Sequence, residues 1–197
     1  MSSLWLKKFA DAAAKGDVNG THSLGRLGVM YPELSLDIID QLKSIGSDFA
    51  LSEIAQIGIR NPDSSIAAID TLKFFQSNMA LCGIVSIACK HKELAVSALD
   101  ALAENNGICA PIQIGTLARQ IPDVIPHAYQ VLKEMGNRSS VYEISMLARQ
   151  FPDHALEGIK ILEHINSDTA KQHVFIIEDA YSKYYRASRP WNDCGPS

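Results

Sequence analysis

The amino-acid sequence predicts an all-α protein: a right-handed αα-superhelix, or solenoid, of five full two-helix repeats with capping helices at both ends. Three observations lead there. Leu42, Leu72, Leu102, Leu132 and Leu162 recur every thirty residues without a slip, and a fixed period of this size marks a repeat array. The run Leu117-Ala118-Arg119-Gln120-Ile121-Pro122-Asp123 returns almost intact as Leu147-Ala148-Arg149-Gln150-Phe151-Pro152-Asp153. Helix-capping residues also stand at fixed places within the period.

Taken in order, residues 3–15 form a first helix with Leu6, Phe9 and Ala10 on one face and Gly16 where a C-terminal cap belongs. Because it matches only the second half of a repeat, it reads as an N-terminal cap. Five units follow, at 17–46, 47–76, 77–106, 107–136 and 137–166, and a C-terminal capping helix at 167–187 closes the array. Residues 1–190 are thus expected to form a single solenoid domain and 191–197 a flexible tail.

Each unit opens at Asp17, Ser47, Ser77, Gly107 or Asn137, and the last helix at Ser167. Nearly all of these side chains can accept a hydrogen bond from an orphan N–H at a helix start. Two aliphatic columns follow in the first helix: Leu24, Ile54, Ile84, Ile114, Ile144, Val174 and Leu27, Ile57, Ile87, Leu117, Leu147, Ile177. Beside them lie Gly28, Gly58, Ala88, Ala118 and Ala148, which admit a close neighbour. A Pro-acid turn comes next in four of the five units, at Pro32, Pro62, Pro122 and Pro152, with His91-Lys92-Glu93 in the third. Proline ends the preceding helix and suits the first position of the next. The acid behind it complements the helix dipole, so Glu33, Asp63, Glu93, Asp123 and Asp153 read as capping residues.

Second helices bury small columns (Ser35, Ser65, Ala95, Ile125, Ala155 and Ile38, Ala68, Ala98, Ala128, Gly158) beside bulky ones (Ile39, Ile69, Leu99, Tyr129, Ile159). Units end at Gly46, Gln76, Asn106, Gly136 and Asn166, mostly residues that take the left-handed conformation. Pro111 falls in a first turn. Pro126 lies about one turn into the second helix of unit four, placed to be tolerated or to bend it.

Candidate binding residues sit on the outward columns of the second helices. One column reads Asp40, Asp70, Asp100, Gln130, Lys160, acidic at one end and basic at the other. Lys43 and Lys73 run alongside the acids, and Phe74 stands out as a large apolar residue in a polar row. The C-terminal segment gathers Tyr184, Tyr185, Arg186, Arg189 and Trp191, a mixture enriched in interface hot spots and single-strand nucleic-acid sites. The same aromatics would equally cover the exposed end of the last repeat.

The chain has 197 residues, 47% of them hydrophobic, which is enough for a sizeable core. A formal charge of −4 and a pI near 5.8 argue against nucleic acid as the partner. No secretory signal pattern opens the sequence, no apolar run reaches membrane-span length, and four cysteines do not make a disulfide scaffold. A reducing cytoplasm is therefore the expected compartment. Cys82, Cys89 and Cys109 lie in helical patterns as small buried hydrophobes. Cys82, Cys89 and His91 match no zinc spacing, and no phosphate loop or nucleophile elbow occurs. The expectation is no catalysis, no metal and no cofactor.

Two helices per unit, alternating small and aliphatic columns and an Asp-bearing turn over about residues 17–186 resemble the short HEAT-like repeats of phycobilisome-lyase-type and other bacterial helical-repeat proteins. That resemblance implies scaffold, adaptor or inhibitor roles and transfers no catalytic residue. The expected function is a non-enzymatic module, effector-like or accessory, that binds another protein on its concave face or its aromatic C-terminal end. Nucleic-acid binding, as in HEAT-like DNA-repair glycosylases, is the alternative.

Overall fold

The structure is a computed structural model that describes residues 2–105 and 107–188, with side chains from 6 to 182. Among the described residues all regular structure is helical and no strand occurs. Contacts gather the chain into two compact units, Met1–Ile121 and Pro122–Ser197. The first holds α1 (Ser2–Ala14), α2 (Val18–Met30), α3 (Ser35–Ile45), α4 (Asp48–Arg60), α5 (Ser65–Leu72), α6 (Asn78–Lys90), α7 (Ala95–Glu104) and α8 (Ala110–Gln120). The second holds α9 (Ile125–Met135), α10 (Arg138–Gln150), α11 (Ala155–Ile165) and α12 (Asp168–Ser188).

Helix starts follow the capping column closely. Asp17 accepts from the Asn19 N–H at 3.0 Å, Ser47 from Ala50 at 3.2 Å and Ser77 from Ala80 at 3.3 Å. Asn137 accepts from Ser140 at 2.9 Å and Ser167 from Ala170 at 3.1 Å. Gly107 has no side chain to offer, and there the helix begins late, at Ala110. Cys109 therefore precedes α8 instead of lying inside it. Helix ends agree at Gly46 (φ 63°), Gly136 (φ 58°) and Asn166 (φ 51°), all left-handed. Gln76 does not cap: α5 stops four residues earlier, at Leu72. Asn106 lies outside the described residues.

The turns between paired helices are more structured than the Pro-acid pattern suggests. A three-residue 3-10 turn precedes every second helix, at Pro32–Leu34, Pro62–Ser64, Lys92–Leu94, Pro122–Val124 and Pro152–His154. Proline pushes the residue before it out of the helical region, and Tyr31 sits at φ −126°, ψ 84° and Asn61 at φ −116°, ψ 97°. His91 adopts the same backbone, φ −119°, ψ 78°, although Lys92 follows it. Packing imposes that turn even without proline.

In the first unit, α2, α4, α6 and α8 pack side by side as one layer, and α3, α5 and α7 form a second layer against them. Close approach is built in at Gly28, where a Cβ would stand 2.6 Å from Ile57 Cδ1. The core is the aliphatic columns: Leu24, Ile54, Ile84 and Ile114 are fully buried, as are Leu42, Leu72 and Leu102. Burying each such side chain contributes roughly 1.5–3 kcal/mol. In the second unit α10 lies against α9, α11 and α12, around Leu132, Ile144, Leu147, Leu162 and Ile177. No helix among the described residues is long and apolar enough to cross a membrane.

Candidate interaction surface

The two outward faces of the first unit differ in what their side chains already do. On the first-helix layer, side chains pair across neighbouring helices about thirty-one residues apart. His22 Nδ1 lies 2.8 Å from Glu53 Oε1, and the Glu53 carboxyl folds over the bare backbone of Gly25. The Gln113 amide donates to Cys82 Sγ at 3.5 Å, and Cys89 Sγ–H donates to Gln120 Oε1 at 2.7 Å. Burial pushes the Cys89 thiol above its ordinary value, which disfavours the reactive thiolate. Cys82, Cys89 and Cys109 are half-buried, not the fully buried hydrophobes their helical pattern implies, because two of them are hydrogen-bonded at the layer's rim.

The second-helix layer is different. Leu36, Ile66 and Val96 occupy the same position, the second residue of α3, α5 and α7. They are 56%, 57% and 46% exposed. One turn earlier stand Glu33, Asp63 and Glu93, and one turn later Asp40, Asp70 and Asp100, all exposed. A helical turn is about 5.4 Å along the axis. The layer thus presents three parallel rows crossing its helices: acid, apolar, acid.

The acidic column read from the sequence is therefore one border of a larger arrangement. Its surroundings include a cluster at the end of α5. Lys73 Nζ bridges Asp70 at 3.3 Å and Glu104 at 3.0 Å. Its hydrogen bond to Glu104, and the further one to Asp70, hold the ammonium above the ordinary lysine value. The Phe74 ring, 68% exposed, lies 5.4 Å from Lys43 Nζ and 5.6 Å from Lys73 Nζ. Cation–π contact of this kind stabilises an exposed ring by about 0.5–1 kcal/mol. Asp70, Lys73, Phe74 and Lys43 thus form one connected group, which the sequence places in separate columns.

In the second unit the same positions hold Asp123, Pro126 and Gln130 on α9 and its preceding turn, and Asp153, Leu156 and Lys160 on α11 and its turn. Pro126 and Leu156 are exposed, and so are Gln130 and Lys160. Pro126 sits in the first turn of α9, where its missing N–H removes no intrahelical bond. It continues the apolar column, an aliphatic signal in every unit that points outward. Tyr184, Tyr185 and Arg186 fall on the last turns of α12, with side chains outside the described set; Arg189 and Trp191 lie outside the described residues.

A pocket of about 380 Å³ opens at one end of the first unit, lined by Ala13, Ala14, Val18, Ile45 and Phe49 among others. None of its lining residues is ionisable. Among the described residues no three His, Cys, Asp or Glu side chains converge to hold a metal ion. In comparisons with known proteins, no family model, curated protein or solved structure significantly matches this chain.

Proposed function

We propose that this chain is a non-catalytic protein-interaction module that binds a partner protein on the second-helix face of its first unit. In this reading the thirty-residue units stack as short HEAT-like repeats. The observation that supports it is the row Leu36, Ile66, Val96: three large apolar side chains at one register, about half exposed, on neighbouring helices. Single exposed aliphatics need no explanation, whereas an aligned row rimmed by charge is the pattern of an interaction site. The acid rows on either side oppose the phosphate backbone of a nucleic acid.

The test is affinity capture with the wild-type chain beside the triple variant L36S/I66S/V96S. Being exposed, these positions change folding stability by no more than about 0.5 kcal/mol each, so thermal unfolding reports an intact fold. The expected result is a partner retained by wild type and lost by the variant. Identical retention by both would remove the proposal.

A further inference from the structure

We infer that the first unit holds a binding site for a neutral aromatic ring, between its α1–α2 and α3–α4 turns. The site shares no residue with the acid-rimmed row and does not rest on the interaction reading above.

Two turns of the same kind differ in what covers them. The α1–α2 and α3–α4 turns each contain a left-handed glycine, Gly16 at φ 84° and Gly46 at φ 63°. With no Cβ, glycine leaves the backbone of such a turn open to close approach. Over Gly46 an aromatic ring already lies: a Cβ built there would stand 3.3 Å from Phe75 Cε1. A Cβ on Gly16 would meet nothing within 4 Å. The repeat counterpart of Phe75, thirty residues earlier, is Ile45, which carries no ring. The chain path differs as well. Helix α3 runs through Ile45, whereas α5 stops at Leu72 and Phe75 is held by a turn, its N–H donating to the Leu72 carbonyl at 3.0 Å. The space left is the pocket of about 380 Å³, which Gly16 and Ile45 both line.

The walls decide the ligand's chemistry. The volume falls within the range of small-ligand sites, about 300–1,000 Å³. Ala13, Ala14, Val18, Ile45 and Phe49 supply apolar surface, and no lining residue is ionisable. The lining hydroxyl groups are engaged at helix ends. Thr21 Oγ1 donates to the Asp17 carbonyl at 3.1 Å and Ser44 Oγ to the Gln41 carbonyl at 2.6 Å. Ser47 Oγ accepts from the Ala50 N–H at 3.2 Å. A charged ligand would enter without a counter-ion from the walls, whereas a neutral ring gives up no polar partner. Val18 and Phe49 are 48% and 60% exposed, so an occupant covers apolar surface that now faces water, and that burial drives binding. The ring of Phe75 against Gly46 is the precedent, within this chain, for an aromatic face on such a turn.

Titration of the isotope-labelled full chain with indole, followed through its amide NMR shifts, tests the site. Saturable shifts should gather at residues 13–18 and 44–49, with a Kd below about 1 mM, attainable for a ring of this size. Indole-3-carboxylate, the same ring with a charge, should bind about tenfold or more weakly. Ile45→Phe supplies the ring that Phe75 provides one repeat on. It should keep the fold, checked by thermal unfolding, and lower the affinity for indole by about tenfold or more. Phe49→Ser changes an exposed position and should weaken binding severalfold, which keeps the site testable if Ile45→Phe does not fold. N-acetyl-tryptophan amide separates two sources of the ring. Binding as tight as that of indole supports a partner's side chain, and exclusion of the amide while indole binds supports a free small molecule. Unshifted amides at both turns in millimolar indole, or undiminished binding by both variants, would overturn the site. Equal binding of the carboxylate would overturn its neutral chemistry.

Discussion

The two compact units build the same helix–turn–helix repeat with different means of closing it. In the first, buried polar side chains reach between repeats. Pro32 has no N–H to offer the Gly28 carbonyl one turn back, and two side chains replace it: Ser35 Oγ donates at 2.8 Å and Asn61 Nδ2 at 2.7 Å. Asn61 also donates to Ser35 Oγ at 2.9 Å. Pro62 orphans the Gly58 carbonyl in the same way, and Ser65 Oγ donates to it at 2.7 Å. Where α5 stops short, the buried Asn105 amide bonds the carbonyls of Lys73 and Phe75, both at 2.9 Å. In the second unit the corresponding columns are Ile125, Phe151 and Ala155, and the space is filled by volume. Tyr129 is fully buried where other units carry Ile or Leu. A Cβ on Gly158 would lie 3.0 Å from the Tyr129 hydroxyl oxygen, so that glycine is the counterpart of the large ring. A repeat backbone tolerates either solution because its orphaned carbonyls and its gaps recur at fixed places, and each can be met by a donor or by bulk.

This contrast can be broken at its largest member first. Tyr129→Ala should destabilise the second unit by about 3–5 kcal/mol, the range for losing a buried aromatic. Segment-resolved hydrogen exchange should show the loss across α9 to α11 and not across α2 to α6. Asn105→Ala should cost about 1–3 kcal/mol by stranding the Lys73 and Phe75 carbonyls, measured by denaturant unfolding, with faster exchange at the end of α5. Asn61→Ala should cost more on a Ser35→Ala background than in the wild type, because the two changes together leave the Gly28 carbonyl without a donor. A double-mutant cycle should give a coupling of about 0.5–1.5 kcal/mol; strict additivity would mean the two donors act independently.

The smallest effect is electrostatic and belongs to the second unit. His173 packs edge-on against Tyr142, with ring centroids 6.0 Å apart and Nδ1 buried without a hydrogen-bond partner. Burial, with Arg149 and Arg138 nearby, holds its pKa below the ordinary histidine value. The unfolded chain therefore binds the proton first, and stability is lost as pH falls through about 6.5 toward the folded pKa. Exchange in α10 and α12 should quicken over that interval, and His173→Gln should flatten the dependence.

Much of the fold was legible because it is local. An N-cap at Asp17, Ser47 or Asn137 acts within three residues, and Gly46, Gly136 and Asn166 stop helices by their own backbone preference. The surface was legible only in part. Asp40, Asp70 and Asp100 announce an exposed acid row by type, whereas Leu36, Ile66 and Val96 look like core residues. An aliphatic column in every unit says that a side chain is apolar, and only its angular place relative to Ile38, Ile39 and Leu42 says that it faces outward.

The chain's periodicity thus specifies helix number, most helix ends and most of the buried columns, since each depends on neighbours within a turn or two. Other features depend on groups between 26 and 33 residues apart. Among these are the clamps of Asn61 and Asn105, the pairing of Tyr129 with Gly158, and the exposure of the apolar row between two lines of acids. Those contacts have no local signature: they arise when one repeat is laid against the next.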